Sequence, residues 1–275
     1  MPYTRAHVNA GLYHGVVSAC FGVPLRLSQR GIDFIEHSGM MVRMENPIYT
    51  EGEIYGEQDA SLAKAYLNKV YLWMAATMLV TAGVASWTTH NLDAMMVAAE
   101  HPCMLLLGGL GIVLVMSIGA RALPAAVLGL LLILFSAVEG LFLGPVLQAY
   151  TQHSVGLAFG CSAGMFGAMS IYGYFTKRNL QGMGRMLIMA LIGLIVAGVI
   201  NIFWGNGTFD LAVSVIGVIV FCLFTAYDTQ KILQEGLYCE DEEIRRKGAV
   251  MGALALYLDF LNLFLYLLRI LGSRD

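Results

Sequence analysis

The most informative segment of this chain is residues 248–271, GAVMGALALYLDFLNLFLYLLRIL. As a helix it is long enough to cross the hydrocarbon core of a bilayer, which is about 30 Å thick. One face of that helix carries small and polar side chains at steps of three and four residues, whereas the other faces are mostly leucine. The residues of this face are Gly252, Ala255, Asp259, Asn262, Tyr266 and Arg269. Because polar groups are costly in lipid, we predict that this last helix lies at the centre of a helical bundle.

The composition of the whole chain is that of a membrane protein. Of its 275 residues, 58% are hydrophobic and 13% are charged, and the mean hydropathy is +0.69. Soluble domains have about 45–50% apolar and about 25% charged residues, so an ordinary soluble enzyme is excluded. The net charge of −3 gives no indication of nucleic-acid binding. The five cysteines form no C-x-x-C pair, which excludes a zinc ribbon or a disulfide framework.

Seven segments are apolar and long enough to span a bilayer. They are residues 70–89, 103–120, 123–143, 155–175, 186–204, 211–234 and 248–271. The sequence therefore predicts an all-α polytopic membrane protein, a bundle of seven transmembrane helices with the last helix central.

The connections between these segments alternate in charge. Residues 90–102, 144–154 and 205–210 contain no Lys or Arg. The opposite connections and the segment before the first span carry Lys64, Lys69, Arg121, Lys177, Arg178, Arg185, Lys231, Arg245, Arg246 and Lys247. By the positive-inside rule, the basic connections and the N-terminus are cytoplasmic. We expect the last helix to cross the membrane, although Arg269 and Arg274 near its end oppose this mildly.

Residues 1–60 differ from the rest of the chain. They mix charged residues with one short apolar stretch, residues 11–25, which Pro24 interrupts. That stretch is too short to span a bilayer and has no clean signal-peptide cleavage site. We interpret residues 1–60 as a flexible cytoplasmic extension and residues 61–275 as the membrane domain. A second interpretation is that translation starts at Met44 and that the first 43 residues are an upstream artefact.

Two acidic residues lie within the last two predicted spans. Asp259 is about 16 Å from the start of its helix, close to the midplane, and Asp228 is about 9 Å inside the cytoplasmic boundary. The two helices are consecutive and antiparallel, and their aspartates meet only if a tilt or a kink closes the depth difference of about 7 Å. Two adjacent carboxylates cannot both stay ionised without a cation, so a close pair shares a proton or binds a metal ion or an arginine. The alternative is that each aspartate bonds a neighbouring helix alone.

Arg121 and Glu139 are the other charges within or near the spans. Arg121 ends the second span, either as a cytoplasmic anchor or as a counter-ion that reaches the carboxylates. Glu139, in the third span, either lines an ion pathway together with Asn262 or hydrogen-bonds a neighbouring helix in its protonated form. The positions of Arg121 and Glu139 in the sequence do not decide between the two roles given for each residue.

Three motifs are similar to those of the Bax inhibitor (transmembrane Bax-inhibitor-motif) family. They are Ala226-Tyr227-Asp228-Thr229-Gln230-Lys231-Ile232, Leu256-Tyr257-Leu258-Asp259-Phe260-Leu261-Asn262-Leu263-Phe264 and Gly144-Pro145-Val146. The resemblance covers roughly residues 60–275, and the two aspartate motifs are specific in combination. The chain departs from the family pattern in its acidic residues 240–243 and its N-terminal extension. It has no long basic C-terminal tail, so it resembles the bacterial members.

The resemblance implies a seven-helix fold with the last helix central and a pH-sensitive calcium leak. By motif position, Asp228 and Asp259 match the family's di-aspartyl pH sensor, and Arg121 resembles the arginine that latches it in bacterial members. The resemblance also implies a bacterial inner-membrane location and a link to a membrane-bound ATP-dependent protease. No resident cofactor is implied, since calcium would be the transported or transiently bound ion.

These observations favour a passive calcium leak and not an enzyme. Carboxylate oxygens suit Ca²⁺, and protonation would remove the charge that a bridging Arg121 or cation needs. We expect opening on acidification, while the loss of a Ca²⁺ ligand predicts the opposite. An intramembrane aspartyl protease also pairs two aspartates, but Leu256-Tyr257-Leu258-Asp259 lacks the glycines of its Gly-x-Gly-Asp motif. A regulator that binds a membrane protease without ion flux is the third hypothesis.

Overall fold

The computed structural model describes residues 34–37, 40–43, 57–205, 207–238 and 241–273. The chain divides into two compact units, Met1–Glu57 and Gln58–Asp275. In the first unit, β1 (Phe34–His37) pairs antiparallel with β2 (Met40–Arg43), with His37 opposite Met40. The predictions of a flexible extension over residues 1–60 and of a start at Met44 fall mostly outside the described residues.

The described part of the second unit is built from helices. Seven of these helices are long and apolar enough to cross a membrane, which confirms the predicted all-α polytopic fold. The helices are α1 (Glu57–His90), α2 (Leu92–Glu100), α3 (Pro102–Gly119), α4 (Ala125–Gln148), α5 (Gln152–Phe175), α6 (Gly184–Trp204), α7 (Gly207–Tyr238) and α8 (Glu242–Leu271). A short 3₁₀ helix, Gln181–Met183, precedes α6.

Helix α2 occupies a connection in which the sequence predicted no helix. It is too short to span a bilayer, and Asn91 caps it, because the Asn91 side chain accepts a hydrogen bond from the Ala94 amide at 3.1 Å. Pro102 then opens α3 at a position where the missing amide hydrogen costs nothing. The nine-residue helix α2 thus separates α1 from the second membrane-spanning helix.

The last helix, α8, is central, as predicted. In its most apolar stretch 56% of the residues are buried, compared with 11% for α3 and 17% for α6. Most leucines of α8 are buried, because α8 packs against α4, α5 and α7. Of the polar face, Gly252 and Asp259 are buried, whereas Arg269 is exposed. Asp241 caps its first turn and accepts hydrogen bonds from the amides of Glu243 at 2.8 Å and Ile244 at 3.0 Å.

Helices α4 and α8 run in the same direction and have their ends at the same levels. At one end, the Glu243 carboxylate accepts a hydrogen bond from the Ala125 amide at 2.8 Å. At the other end, the Thr151 amide donates to the Ser273 carbonyl at 3.2 Å, and the Ser273 amide donates to Ser154 Oγ at 3.0 Å. Helix α8 therefore extends over the full length of the bundle, as a crossing helix must.

Candidate functional site

The site is built around Asp228 of α7 and Asp259 of α8. Their side chains lie within hydrogen-bonding reach of each other, although the two residues are on different helices. Asp259 is 4% exposed, and its Oδ2 atom has no hydrogen-bond partner among the described residues. Asp228 is half-buried, and its charged neighbours on α7 are Lys231 and Glu235. The sequence left open whether the two aspartates form a pair or each bonds a neighbouring helix alone. In the structure they form a pair.

A hydrogen bond between two carboxyl groups needs one proton, because two carboxylates have no donor to offer each other. Two carboxyl groups that form such a bond would share one proton and would titrate as one unit. Removal of that proton leaves two negative charges in contact, an interaction that costs about 4 kcal/mol at 4 Å for an effective dielectric constant of 20. A cation between the two carboxylates is the other way to relieve that repulsion.

The two residues that precede Asp228 hold α7 against its neighbours. Gly173 of α5 lies so close to the Ala226 backbone that a Cβ atom at Gly173 would overlap it. Gly184, at the start of α6, faces Tyr227, and a Cβ atom there would come within 2.6 Å of the Tyr227 hydroxyl oxygen. These contacts set the position and rotation of α7, and thus where Asp228 points.

Gln230 joins α7 to the connection between α5 and α6. Its Oε1 accepts a hydrogen bond from the Leu180 amide at 2.8 Å, and its Nε2 donates to the Arg178 carbonyl at 2.8 Å. The side chain is buried and satisfies backbone groups that no helix supplies with partners. Gln230 belongs to the motif around Asp228, but the sequence predicted no role for it.

Tyr257 belongs to a buried polar network two residues before Asp259. Its hydroxyl lies 2.8 Å from Thr81 Oγ1 of α1, and Thr81 donates to the Ser136 carbonyl of α4 at 2.9 Å. The Phe135 ring packs edge-on against Tyr257 with 5.8 Å between centroids. This network was missed from the sequence, where the only signal was the place of Tyr257 within its motif.

Among the described residues, no hydrogen bond joins the predicted pathway residues Glu139 and Asn262 to the aspartate pair. Glu139 is half-buried on α4, and a Cβ atom at Gly109 of α3 would lie 3.2 Å from its Oε1. On α4 it lies one helical turn after Phe135 and Ser136, which belong to the Tyr257 network. Asn262 is half-buried, and its Nδ2 donates to the Leu258 carbonyl of its own helix at 2.8 Å.

Arg121 lies in the turn after α3, where its side chain is exposed to solvent. Its carbonyl oxygen accepts a hydrogen bond from Lys247 Nζ at 3.3 Å. Within the described part of the chain, the structure does not bring the Arg121 guanidinium into an ion pair with Asp228 or Asp259. The latch therefore stays a prediction.

The residues described also limit the kind of metal binding to expect. Among them, no group of three or more histidine, cysteine, aspartate or glutamate side chains could hold a metal ion. Ca²⁺ takes six to eight oxygen ligands, so Asp228 and Asp259 would need water or carbonyl oxygens beside them.

The comparison with protein families agrees with the motifs around this pair. The family described as "Inhibitor of apoptosis-promoting Bax1" matches residues 63–275. The chain belongs to the Bax inhibitor-1 family. The match covers α2 to α8 and most of α1, including both aspartates, and leaves out the N-terminal unit.

Several bacterial members of the Bax inhibitor-1 family are similar to this chain. The inner membrane protein YbhL of Escherichia coli (strain K12) is 45% identical over 217 residues, which are 77% of this chain and 92% of YbhL. A protein of Deinococcus radiodurans is 42% identical over 212 residues, with the same coverage of 77% and 92%. A membrane protein of Streptococcus pyogenes is 42% identical over 164 residues, which are 60% of this chain and 71% of that protein. This chain is thus a bacterial-type family member and an integral membrane protein.

At the far end of α8, the charge of Arg269 is offset by a neighbour. Arg269 Nη1 lies 3.5 Å from Asp210 Oδ1 of α7, and its guanidinium carbon lies 5.8 Å from the centre of the Tyr266 ring. Asn201 of α6 donates to the same Asp210 oxygen at 2.9 Å. The basic residue that seemed to oppose the crossing of the last helix therefore has an acidic partner.

Proposed function

We propose that this Bax inhibitor-1 family protein is a pH-sensitive passive leak for calcium and other cations. The observation that carries the proposal is the carboxyl–carboxyl contact between Asp228 and Asp259, on two membrane-spanning helices. The protein would lie in the bacterial inner membrane with its N-terminus in the cytoplasm. The location follows its relative YbhL, and the orientation follows the basic connections.

In this mechanism a proton and a cation compete for the same pair. At high pH both carboxylates are ionised, and Ca²⁺ or the Arg121 guanidinium bridges them and holds α7 and α8 together. At low pH the shared proton replaces the cation, which is released. Carboxylate oxygens are the ligands that Ca²⁺ prefers, so the competition is chemically matched.

Glu139 and Asn262 support a route to the pair for the moving ion. Asn262 lies one helical turn beyond Asp259 on the polar face of α8. Glu139 belongs to the neighbouring helix α4 and lies beside the Tyr257 network. An ionised glutamate at that position would attract a cation. An ionisable residue within a membrane span is costly to keep and typically lies on an ion or proton path.

The test is calcium flux into liposomes that contain the pure protein, stepped from pH 8 to pH 6. We expect flux to rise on acidification in the wild type and to become independent of pH in the Asp228→Asn/Asp259→Asn variant. Glu242→Gln is the matched control, since Glu242 is an exposed acidic residue paired with Arg246 at the start of α8. A double variant that retains the wild-type pH response would contradict the assignment of the sensor.

The proposal assigns transport and not catalysis to the pair. If an inhibitor that mimics the transition state of aspartyl proteases bound at the pair, an enzyme would be favoured instead. If the pure protein carried no flux at any pH, the remaining hypothesis would be a membrane-embedded regulator of a membrane-bound ATP-dependent protease. Co-purification of such a protease with the intact protein would then be the decisive measurement.

A further inference from the structure

A cleft of about 390 Å³ lies beside the short helix α2, far from the aspartate motifs. Its apolar lining comes from the end of α1, from α2, from the start of α3 and from α4. The lining residues are Trp87, Ala94, Val97, Ala98, Leu105 and Leu141, with Asn91 and Asp93 as the polar members. A volume of this size lies within the range of small-molecule binding sites.

The cleft lies where the bundle meets the surface of the bilayer. Trp87 is three residues before the end of α1, and Leu105 is three residues after the start of α3. Leu141 is seven residues before the end of α4, so the cleft reaches about 10 Å below the helix ends. That depth is the zone in which interfacial helices meet acyl chains, and tryptophan is enriched there.

Helix α2 has the surface of a helix that lies in this interface. Its buried residue is Ala98, whereas Leu92 is 81% exposed and Met96 is 55% exposed. The exposed apolar face would be costly in water but is matched to the boundary between headgroups and acyl chains. Since the neighbouring α1 and α3 cross the membrane, the bilayer itself covers this face.

The polar members of the cleft select the chemistry of the headgroup. Asp93 offers a carboxylate, and Asn91 uses its oxygen to cap α2, which leaves its amide hydrogens to donate outward. The connection over residues 90–102 also carries Glu100 and contains no Lys or Arg. The charged side chain that lines the cleft is the Asp93 carboxylate, which would repel an anionic headgroup and pair with an ammonium group.

We propose that this cleft binds a membrane phospholipid with an ammonium headgroup, such as phosphatidylethanolamine. The acyl chain lies between Trp87, Leu105 and Leu141, the ammonium group pairs with Asp93, and the Asn91 amide donates to a phosphate or ester oxygen. The inference is independent of the proposed leak, because it uses other residues at a different place in the fold.

The test is quenching of Trp87 fluorescence by brominated lipids. For this experiment the full chain is made with the substitutions Trp73→Phe and Trp204→Phe, so that Trp87 is the remaining tryptophan of the three. All vesicles contain equal amounts of phosphatidylethanolamine and phosphatidylglycerol, and the bromine is on the acyl chains of one lipid or the other. Only the position of the label changes between samples, so bulk properties of the membrane are constant.

We expect brominated phosphatidylethanolamine to quench more strongly, by roughly twofold to fivefold in apparent occupancy, the range for one exposed ion pair. Asp93→Asn should remove the preference, and Glu100→Gln, the other acidic residue of α2, should retain it. Ala94→Phe, which fills the cleft, should also remove it. Equal quenching by both lipids in the wild type would overturn the proposal, and so would a preference that survives Asp93→Asn or Ala94→Phe.

Discussion

The hydroxyl group of Tyr257 lies 2.8 Å from Thr81 Oγ1, so that α8 is hydrogen-bonded to α1 at a fully buried position. Thr81 has one hydroxyl hydrogen, which it donates to the Ser136 carbonyl at 2.9 Å or to the Thr77 carbonyl at 3.0 Å. Tyr257 must therefore be the donor to Thr81. The chain of bonds joins α8, α1 and α4 one half-turn from Asp259.

Tyr257→Phe removes this donor while keeping the ring that packs against Phe135. We expect a loss of about 1–3 kcal/mol in the free energy of unfolding, because a buried hydroxyl oxygen of Thr81 loses its partner. Denaturant unfolding in detergent measures this loss. Tyr172→Phe is the control, since Tyr172 is 47% exposed. An unchanged stability for Tyr257→Phe would mean that the network contributes nothing to the packing of α8.

Gly173→Ala places a methyl group into the backbone of Ala226, next to Asp228. Overpacking typically costs about 1–3 kcal/mol, and a backbone obstacle cannot rotate away as a side chain can. We expect a lower unfolding temperature and weakened contact between α5 and α7. Gly164→Ala on the same helix is the matched control, because no atom lies within 4 Å of its would-be Cβ atom. Equal effects of the two substitutions would contradict the close approach at Gly173.

Gln230→Ala leaves the Leu180 amide and the Arg178 carbonyl without their partners. We expect the connection between α5 and α6 to loosen, which faster hydrogen exchange over residues 176–184 would report. Gln234→Ala is the control, since its hydrogen bond to Gln181 is on the exposed surface. Exchange that stays as slow as in the wild type would show that Gln230 does not hold this connection.

The single variants Asp228→Asn and Asp259→Asn separate the two halves of the proposed sensor. Each retains a hydrogen bond across the pair, because an amide can donate to a carboxylate, but one ionisable group is lost. If a proton and a cation compete for the pair, the one carboxylate that remains in each variant binds Ca²⁺ weakly at every pH. We therefore expect flux at pH 8 to rise towards the wild-type flux at pH 6, in the same liposome measurement. Low flux at pH 8 in both variants would exclude cation release as the gating step.

Arg121→Gln tests the latch, which the described contacts do not contain. If the guanidinium bridges the ionised pair in another state of the protein, its loss should raise flux at pH 8 and leave flux at pH 6 unchanged. Arg185→Gln is the control, as Arg185 is an exposed basic residue at the start of α6. Identical flux from both variants at pH 8 would assign Arg121 to membrane anchoring alone.

The sequence by itself determined the spans, the fold class and the family. Hydrophobic length identifies a crossing helix without any tertiary contact, since the bilayer sets the requirement. The alternation of polar and leucine positions over residues 248–271 was enough to place α8 at the centre. Helix α2 was not predicted, because its nine residues are too few for a clear periodic signal and its Asn91 cap is a local hydrogen bond.

Only the tertiary structure decided which polar groups meet. Periodicity gives the face of a helix but not its tilt or rotation against a neighbour, so the depth difference between Asp228 and Asp259 left their contact open. Close approaches set that geometry: the Ala226 backbone lies against Gly173, and Ile232 lies 3.2 Å from the would-be Cβ atom of Gly252. Such contacts depend on the shapes of several helices at once, which is why one helix read alone cannot reveal them.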